Sequence, residues 1–271
     1  MKKKFKNIIN RRLSILIFGA VFLATVPVKA QTIIEIPGDY PTIQEGLDAA
    51  ESDTIIRVQP GVYEEKLVWP EGLNYINLTA DYGPGYTVID GGISGRVITC
   101  YDSGELENSV EGFTITGGVH KESSALLAVN SSLSLFDCLI VHNVAVDTLY
   151  SATVYSVYSN LNIEYCRFEH NVSSGNPVAR TEYSVVNIDN CDIVDNINTI
   201  WPKELINVTE GEFNLKNSKV IDNSSSILKV ERALVILRNN FIKRNYGSVV
   251  TGYELDFVLS VFIPFMYNNL I

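Results

Sequence analysis

The chain has 271 residues, of which 46% are hydrophobic and 19% charged, the composition of an ordered protein with a substantial core. Residues 1–30 hold seven of the 21 Lys and Arg and none of the 31 Asp and Glu, so the chain from Gln31 onward carries 14 basic against 31 acidic groups, a net −17. Such a surface repels phosphate backbones, which excludes nucleic acid as a partner and disfavours polyanions unless a cation bridges them.

The first element in chain order is an export signal. Lys2, Lys3, Lys4, Lys6, Arg11 and Arg12 precede an apolar stretch at 13–26 that is short for a membrane span. Val28-Lys29-Ala30 fits a small-x-small cleavage site. Residues 1–30 therefore read as a signal peptide, and the mature chain is expected to begin at Gln31, in the secretions or the cell envelope. No stable membrane span remains after cleavage; an uncleaved N-terminal anchor is the rival reading. Residues 31–58 read as an N-terminal cap. Thr42-x-x-Glu45 is a capping box, and Ile43, Leu47 and Ala50 share one helical face. A short helix there is expected to cover the open end of a stack of coils. Pro60-Gly61 then turns the chain.

Residues 59–257 carry a repeat. Leu133-Ser-Leu-Phe-Asp-Cys138-Leu-Ile140-Val-His-Asn143 recurs at 161–171, 186–196, 213–223 and 235–245, with a degenerate copy at 109–118. The anchors Phe113, Cys138, Cys166, Cys191, Ser218 and Asn240 are 25, 28, 25, 27 and 22 residues apart. The pattern is apolar-x-apolar, two residues, a small residue, x, apolar, and then Asn. Period-two alternation on both sides of a short polar break means two brief strands with one buried face. Spacing that varies while the motif holds puts the insertions in loops. Parallel stacking about 4.8 Å apart would line up equal positions in columns. Asn143, Asn171, Asn196, Asn223 and Asn245 are thus expected to form an inward ladder, with Asn tolerating left-handed backbone angles at a tight turn. Four cysteines in an exported chain suggest disulfides. Cys138, Cys166 and Cys191 occupy one repeat position, however, and read instead as small buried core residues with free thiols.

This repeat, over about 33–245, resembles the right-handed parallel β-helix, pectin-lyase-like superfamily. The stretch from Tyr86-Thr-Val-Ile-Asp90-Gly-Gly92 to Gly118 looks like early coils of exported bacterial repeat proteins of this kind. Residues 39–50 and 54–65 are similar to the N-terminal cap and first coil of pectinesterases, an opening shared with β-helix proteins that lack esterase activity. The fold class implied is all-β: a single-stranded right-handed parallel β-helix with a short N-terminal capping helix.

The family's chemistries are not evident in these residues. Pectinesterases use two Asp, a Gln and an Arg on middle coils, whereas Gln31, Gln44 and Gln59, the only Gln, come before or within the first coil. The nearest echo of the nucleophile motif, at 255–259 around Asp256, lacks flanking glycines. Hydrolases of the polygalacturonase type need clustered carboxylates, and no Asp-Asp, Asn-Thr-Asp or His-Gly occurs. Lyases of the pectate type need a carboxylate calcium site, and no dense Asp cluster appears. The column His142, His170, Asp195, Asp222 offers metal ligands, but a straight column surrounds an ion poorly, and it reads as a solvated turn position. The columns Glu164, Asp189, Lys216, Arg238 and Arg167, Asp192, Lys219 read as solvated charge ladders. Asn-x-Ser/Thr triplets at Asn77, Asn130, Asn171, Asn207 and Asn223 read as chance matches in an Asn-rich chain. No catalytic residue, cofactor or metal is assigned.

The apolar tail at 258–271 lacks the Asn motif. It reads as the end of a chain cut short of a longer protein, with a fold over the open coil as the other reading. The expected function is a non-catalytic, monomeric β-helix module of the cell surface or secretions, presenting a sheet face to carbohydrate. The alternative is a polysaccharide-active enzyme, pectate-lyase-like or pectinesterase-like, whose site is unrecognised or truncated.

Overall fold

The computed structural model describes residues 31–146, 151–200, 204–253 and 256–257. Residues 1–30, read from the sequence as a signal peptide, and the tail 258–271 lie outside the described residues, as does most of the 255–259 echo. From Gln31 onward the chain winds as a parallel β-solenoid of about nine turns.

One middle coil shows the plan. Strands Ser132–Phe136, Leu139–Val141 and Ala152–Val157 form its sides one, two and three. Every paired strand runs parallel to its equivalent one coil away, and side two is an eight-stranded sheet ending at Phe241–Lys243. The long strands Asn176–Asp189, Glu204–Lys216 and Ser226–Arg238 run through the corner between sides three and one, merging both into one 15-stranded sheet. On side two the register runs Leu139, Arg167, Asp192, Lys219, Phe241, which matches the spacing read from the repeat. Leu133, Leu135, Cys138 and Ile140 are buried, as are their counterparts in the next coils.

The corners explain why the coil closes. At each, one residue adopts a left-handed backbone and points outward, and the next points inward and bonds the neighbouring coil. Between sides one and two the left-handed residues include Asp137, Tyr165, Asn190, Asn217 and Asn239, and the inward column is Cys138, Cys166, Cys191, Ser218, Asn240. Between sides three and one, Asp102, Asn130, Tyr158 and Tyr183 precede Ser103, Ser131, Ser159 and Ser184. Between sides two and three, His142, His170, Asp195, Asp222 and Arg244, with φ from 52° to 58°, precede the ladder Asn. This corrects the sequence reading by one residue: the left-handed position is the one before each Asn. His and Asp suit it because their polar side chains tolerate positive φ.

The Asn ladder is buried and bonds in both directions. Asn171 N–H donates to Asn196 Oδ1 (3.1 Å), and Asn196 Nδ2 donates to Phe168 O (3.0 Å). The same pair of bonds recurs down the column from Gly118 to Asn245, so corner groups that no strand partner reaches are satisfied by the next coil's side chain. All four cysteines are buried free thiols. Burial raises the Cys100 thiol far above its ordinary value, and hydrogen bonds with Cys138 and Cys191 raise Cys166.

The one described helix, α1 (Ile43–Asp48), is six residues long and stops before Ala50. Thr42 Oγ1 accepts from Glu45 N–H as the capping box requires. The other helix N–H groups are met from a distance, since Glu65 accepts from Ile43 and Gln44 N–H (3.0 and 2.9 Å). Ile43 and Leu47 are fully buried, and Gly46 admits the close approach of Ile36, whose Cδ1 would lie 2.9 Å from an added Cβ. Gln44 pairs like a strand edge, accepting from Val68 N–H and donating to Val68 O.

Candidate functional site

Side one presents outward residues two apart along each strand, because successive side chains face opposite ways. One column runs Asn77, Ser109, Ser134, Asn162, Asn187, Asn214 in continuous register. Its lower amides bond one another: Asn187 Nδ2 donates to Asn162 Oδ1 (2.9 Å) and Asn214 Nδ2 to Asn187 Oδ1 (2.8 Å). At the upper end Asn77 Oδ1 has no protein partner among the described residues.

Two open cavities lie on this face, the first over the column itself and the second beside it. The first, about 370 Å³, is lined by Tyr75, Asn77, Glu107, Ser134, Phe136 and Glu164 among others. The second, about 520 Å³, involves Asp102, Glu105, Asn130, Tyr158 and Asn160. Alternate outward residues of strands Ser132–Phe136 and Asn160–Glu164 line both. Aromatic rings stand exposed beside them: Tyr75, Phe136, and Tyr158, which is 61% exposed. Phe136 meets Tyr165 edge-on at 5.2 Å, and Tyr158 stacks on Tyr183 at 4.9 Å. Ser134 Oγ donates to Glu107, and Asn130 Nδ2 donates to Asp102 Oδ1 at 2.5 Å. Among the described residues lining the two cavities, four are carboxylates and none is Lys or Arg.

Side three carries a second cluster that the sequence reading missed. Arg96, only 10% exposed, pairs with Glu122 at 3.0 Å and donates to Ser123 Oγ at 2.6 Å. His120 Nδ1 accepts from the backbone N–H of Glu122 and Ser123 (3.1 and 3.3 Å) and faces Arg96 Nη2, which fixes the ring as the Nε2–H tautomer. Burial, and then Arg96, lower the His120 pKa. Burial lowers Arg96 too, against Glu122 and Tyr101. Farther along, the Arg180 guanidinium lies 5.3 Å from the Tyr155 ring centroid and pairs with Glu182. Burial, then Glu182, push the Tyr155 phenol up to about 12.

The charge columns read from the repeat fall on the surface as expected. Asp192 bridges Arg167 (3.3 Å) and Lys219 (3.2 Å), and Glu164, Asp189, Lys216 and Arg238 stand in one outward register. Exposed pairs of this kind contribute about 0–1 kcal/mol each. Asn171 and Asn223, two of the five glycosylation triplets, are buried ladder residues.

No family model matches the chain, and no curated protein does. Its coils, parallel on every side around one apolar core, decide the architecture. The fold is a parallel β-helix. Solved structures similar to this β-helix include a pectin methylesterase from Aspergillus niger, 14% identical with a TM-score of 0.49 over 84% of this chain and 85% of that one. Carrot pectin methylesterase is 14% identical with a TM-score of 0.42, over 84% and 82%. A mannuronic acid specific polysaccharide family 6 lyase from human gut microbiota is 13% identical with a TM-score of 0.47, over 78% of this chain and 59% of its own length. These likenesses are of fold alone. Of the three Gln in the β-helix, Gln44 is spent on α1 and its strand contact. Among the described residues no helix is long and apolar enough to cross a membrane.

Proposed function

We propose that this chain is an exported, non-catalytic carbohydrate-binding β-helix whose binding face is the outer surface of side one. The observation that carries the reading is the registered column of amides and hydroxyls from Asn77 to Asn187 beside exposed Tyr75, Phe136 and Tyr158. Amide and hydroxyl groups match the donors and acceptors of sugar hydroxyls. Flat aromatic faces suit the apolar face of a sugar ring. Asp102, Glu105, Glu107 and Glu164 favour a neutral glycan, since a polyuronate would meet like charge along the whole groove. The residues at 1–30 support export.

Affinity measurements of the mature protein on a panel of neutral and acidic polysaccharides, with and without calcium, test the proposal. Binding to a neutral polymer, weakened at least about tenfold by Phe136→Ala with Asn162→Ala, is the expected result; such a loss equals about 1.4 kcal/mol. Binding untouched by that double variant would remove the face from consideration. The second reading, a polysaccharide-active enzyme, draws on the Arg96–His120–Glu122 cluster of side three, and turnover of any panel member would favour it.

A further inference from the structure

The outward residues of the corner between sides two and three do not form only a straight column. Strand Arg167–Glu169 ends on Glu169, whose carboxylate stands beside the next residue, His170, with Glu169 Oε1 3.9 Å from His170 Nδ1. Because Glu169 pairs in register with Val194, Asp195 of the following coil falls opposite His170. Both His170 and Asp195 are left-handed, with φ of 52°, and project away from the core. One ligand atom from each of Glu169, His170 and Asp195 lies within 4.8 Å of the other two. On the other side the His142 ring stacks parallel to that of His170, centroids 5.4 Å apart and 5° from coplanar.

We infer that Glu169, His170 and Asp195 form a binding site for a divalent transition-metal ion of the zinc class, with His142 within reach as a fourth ligand. The donor set decides the ion. Imidazole nitrogen with two carboxylates suits zinc, cobalt or nickel, whereas calcium calls for six to eight oxygens. At bond lengths of about 2.0–2.2 Å, ligands around a tetrahedral ion stand about 3.3 Å apart. The present triangle, with its ligand atoms within 4.8 Å of one another, is wider than that, and the His170 side chain, 48% exposed, faces solvent into which it can turn. Glu169 is aimed by Arg167, which donates to both its oxygens at 2.8 and 2.9 Å. A carboxylate has further lone pairs for a metal beyond such a pair. Off-column Glu169 supplies what a straight file of corner residues lacks, ligands from more than one direction. A bound ion would clip two adjacent coils together at a corner.

Isothermal titration of the mature protein with zinc chloride, with calcium chloride as the comparison, tests the site. The background is low, because the chain has three histidines, of which His120 is engaged by Arg96 and two backbone N–H groups, and its four cysteines are buried. One equivalent of zinc should bind in the micromolar range, with no saturation by calcium at the same concentrations. His170→Asn and Asp195→Asn should each weaken binding at least about tenfold, and His142→Asn less. Asn is the replacement of choice because it keeps the left-handed backbone. Zinc should raise the unfolding temperature of the parent protein but not that of His170→Asn, since only a ligand that binds the folded state stabilises it. Absence of saturable binding up to millimolar zinc, or equal binding by His170→Asn, would overturn the inference.

Discussion

Two columns of asparagine run along this solenoid, one inside and one outside, and they differ in what their amides meet. The inward residues Asn143, Asn171, Asn196, Asn223 and Asn245 bond one another's amides and, in addition, backbone N–H and C=O groups of the neighbouring coil. The column on side one, Asn162, Asn187 and Asn214, bonds neighbouring side chains and no backbone group. Stacking is common to both. A corner leaves backbone groups without a strand partner, and there the amide becomes structural. On a flat strand the backbone is already paired, so the amides of Asn162 and Asn187 remain available to a ligand, whereas Asn214 is buried.

Breaking one member of each column should separate them most widely. Asn196→Leu removes the acceptor of Asn171 N–H and the donor to Phe168 O, both buried. A buried unsatisfied group costs about 1–3 kcal/mol, so the two together predict a loss of about 2–6 kcal/mol. Asn187→Leu leaves every backbone bond in place, and its loss should stay below about 1 kcal/mol. Urea unfolding of both variants measures the gap. Equal losses would mean that the outward column also holds the coils together, and its availability to a ligand would have to be abandoned.

The comparison also explains what the sequence could disclose. Sides one and two were legible because residues such as Leu133, Leu135, Cys138, Ile140 and Asn143 repeat a buried pattern with little interference. Side three was not. Its strand Ser123–Val129 is buried at six successive positions, so no alternation marks which way each residue points. Arg96 and His120 consequently meet through the winding of the coil, and Tyr155 and Arg180, which pair in register on side three, stand at a position that no sequence motif marks. The corner was misread by one residue, because sequence marks Asn as left-handed without showing that His142 or Asp195 takes that role. Glu169 escaped notice for the opposite reason: it sits beside the column of candidate ligands, not in it.

Side three offers an intermediate test, since it titrates where the Asn columns do not. His120 has its pKa lowered from the ordinary 6.5 by burial first and by Arg96 second. The unfolded chain therefore takes up the proton at higher pH than the folded one, so His120 contributes less stability as pH falls below about 6.5 toward its folded pKa. Unfolding midpoints of the parent and His120→Asn, compared at neutral pH and roughly one unit below 6.5, should converge on acidification. The penalty of Asn196→Leu should be the same at both pH values. A His120→Asn difference that holds constant would show that the imidazole is not held neutral by its surroundings.

The smallest effect is expected at the corner between sides one and two, where the inward column changes chemistry along its length. Cys138, Cys166 and Cys191 give way to Ser218 and Asn240 at the same position. Cys191 Sγ donates to Asp189 O at 3.2 Å, and one coil on Ser218 Oγ donates to Lys216 O at 2.6 Å while accepting from Cys191 N–H at 3.1 Å. The corner therefore already works with oxygen in place of sulfur. Cys191→Ser gains the stronger hydrogen-bonding atom and loses some packing volume, and the two changes oppose each other. Its cost should stay below about 1 kcal/mol, well under that of Asn196→Leu. Thiol titration under denaturing, non-reducing conditions should count four in the parent, as all four cysteines are free, and three in the variant. A count of two in the parent would mean that the column is cross-linked. A large loss of stability in Cys191→Ser would mean that sulfur volume, more than its hydrogen bonds, holds this corner, which would set it apart from the Asn ladder whose amides act through their bonds.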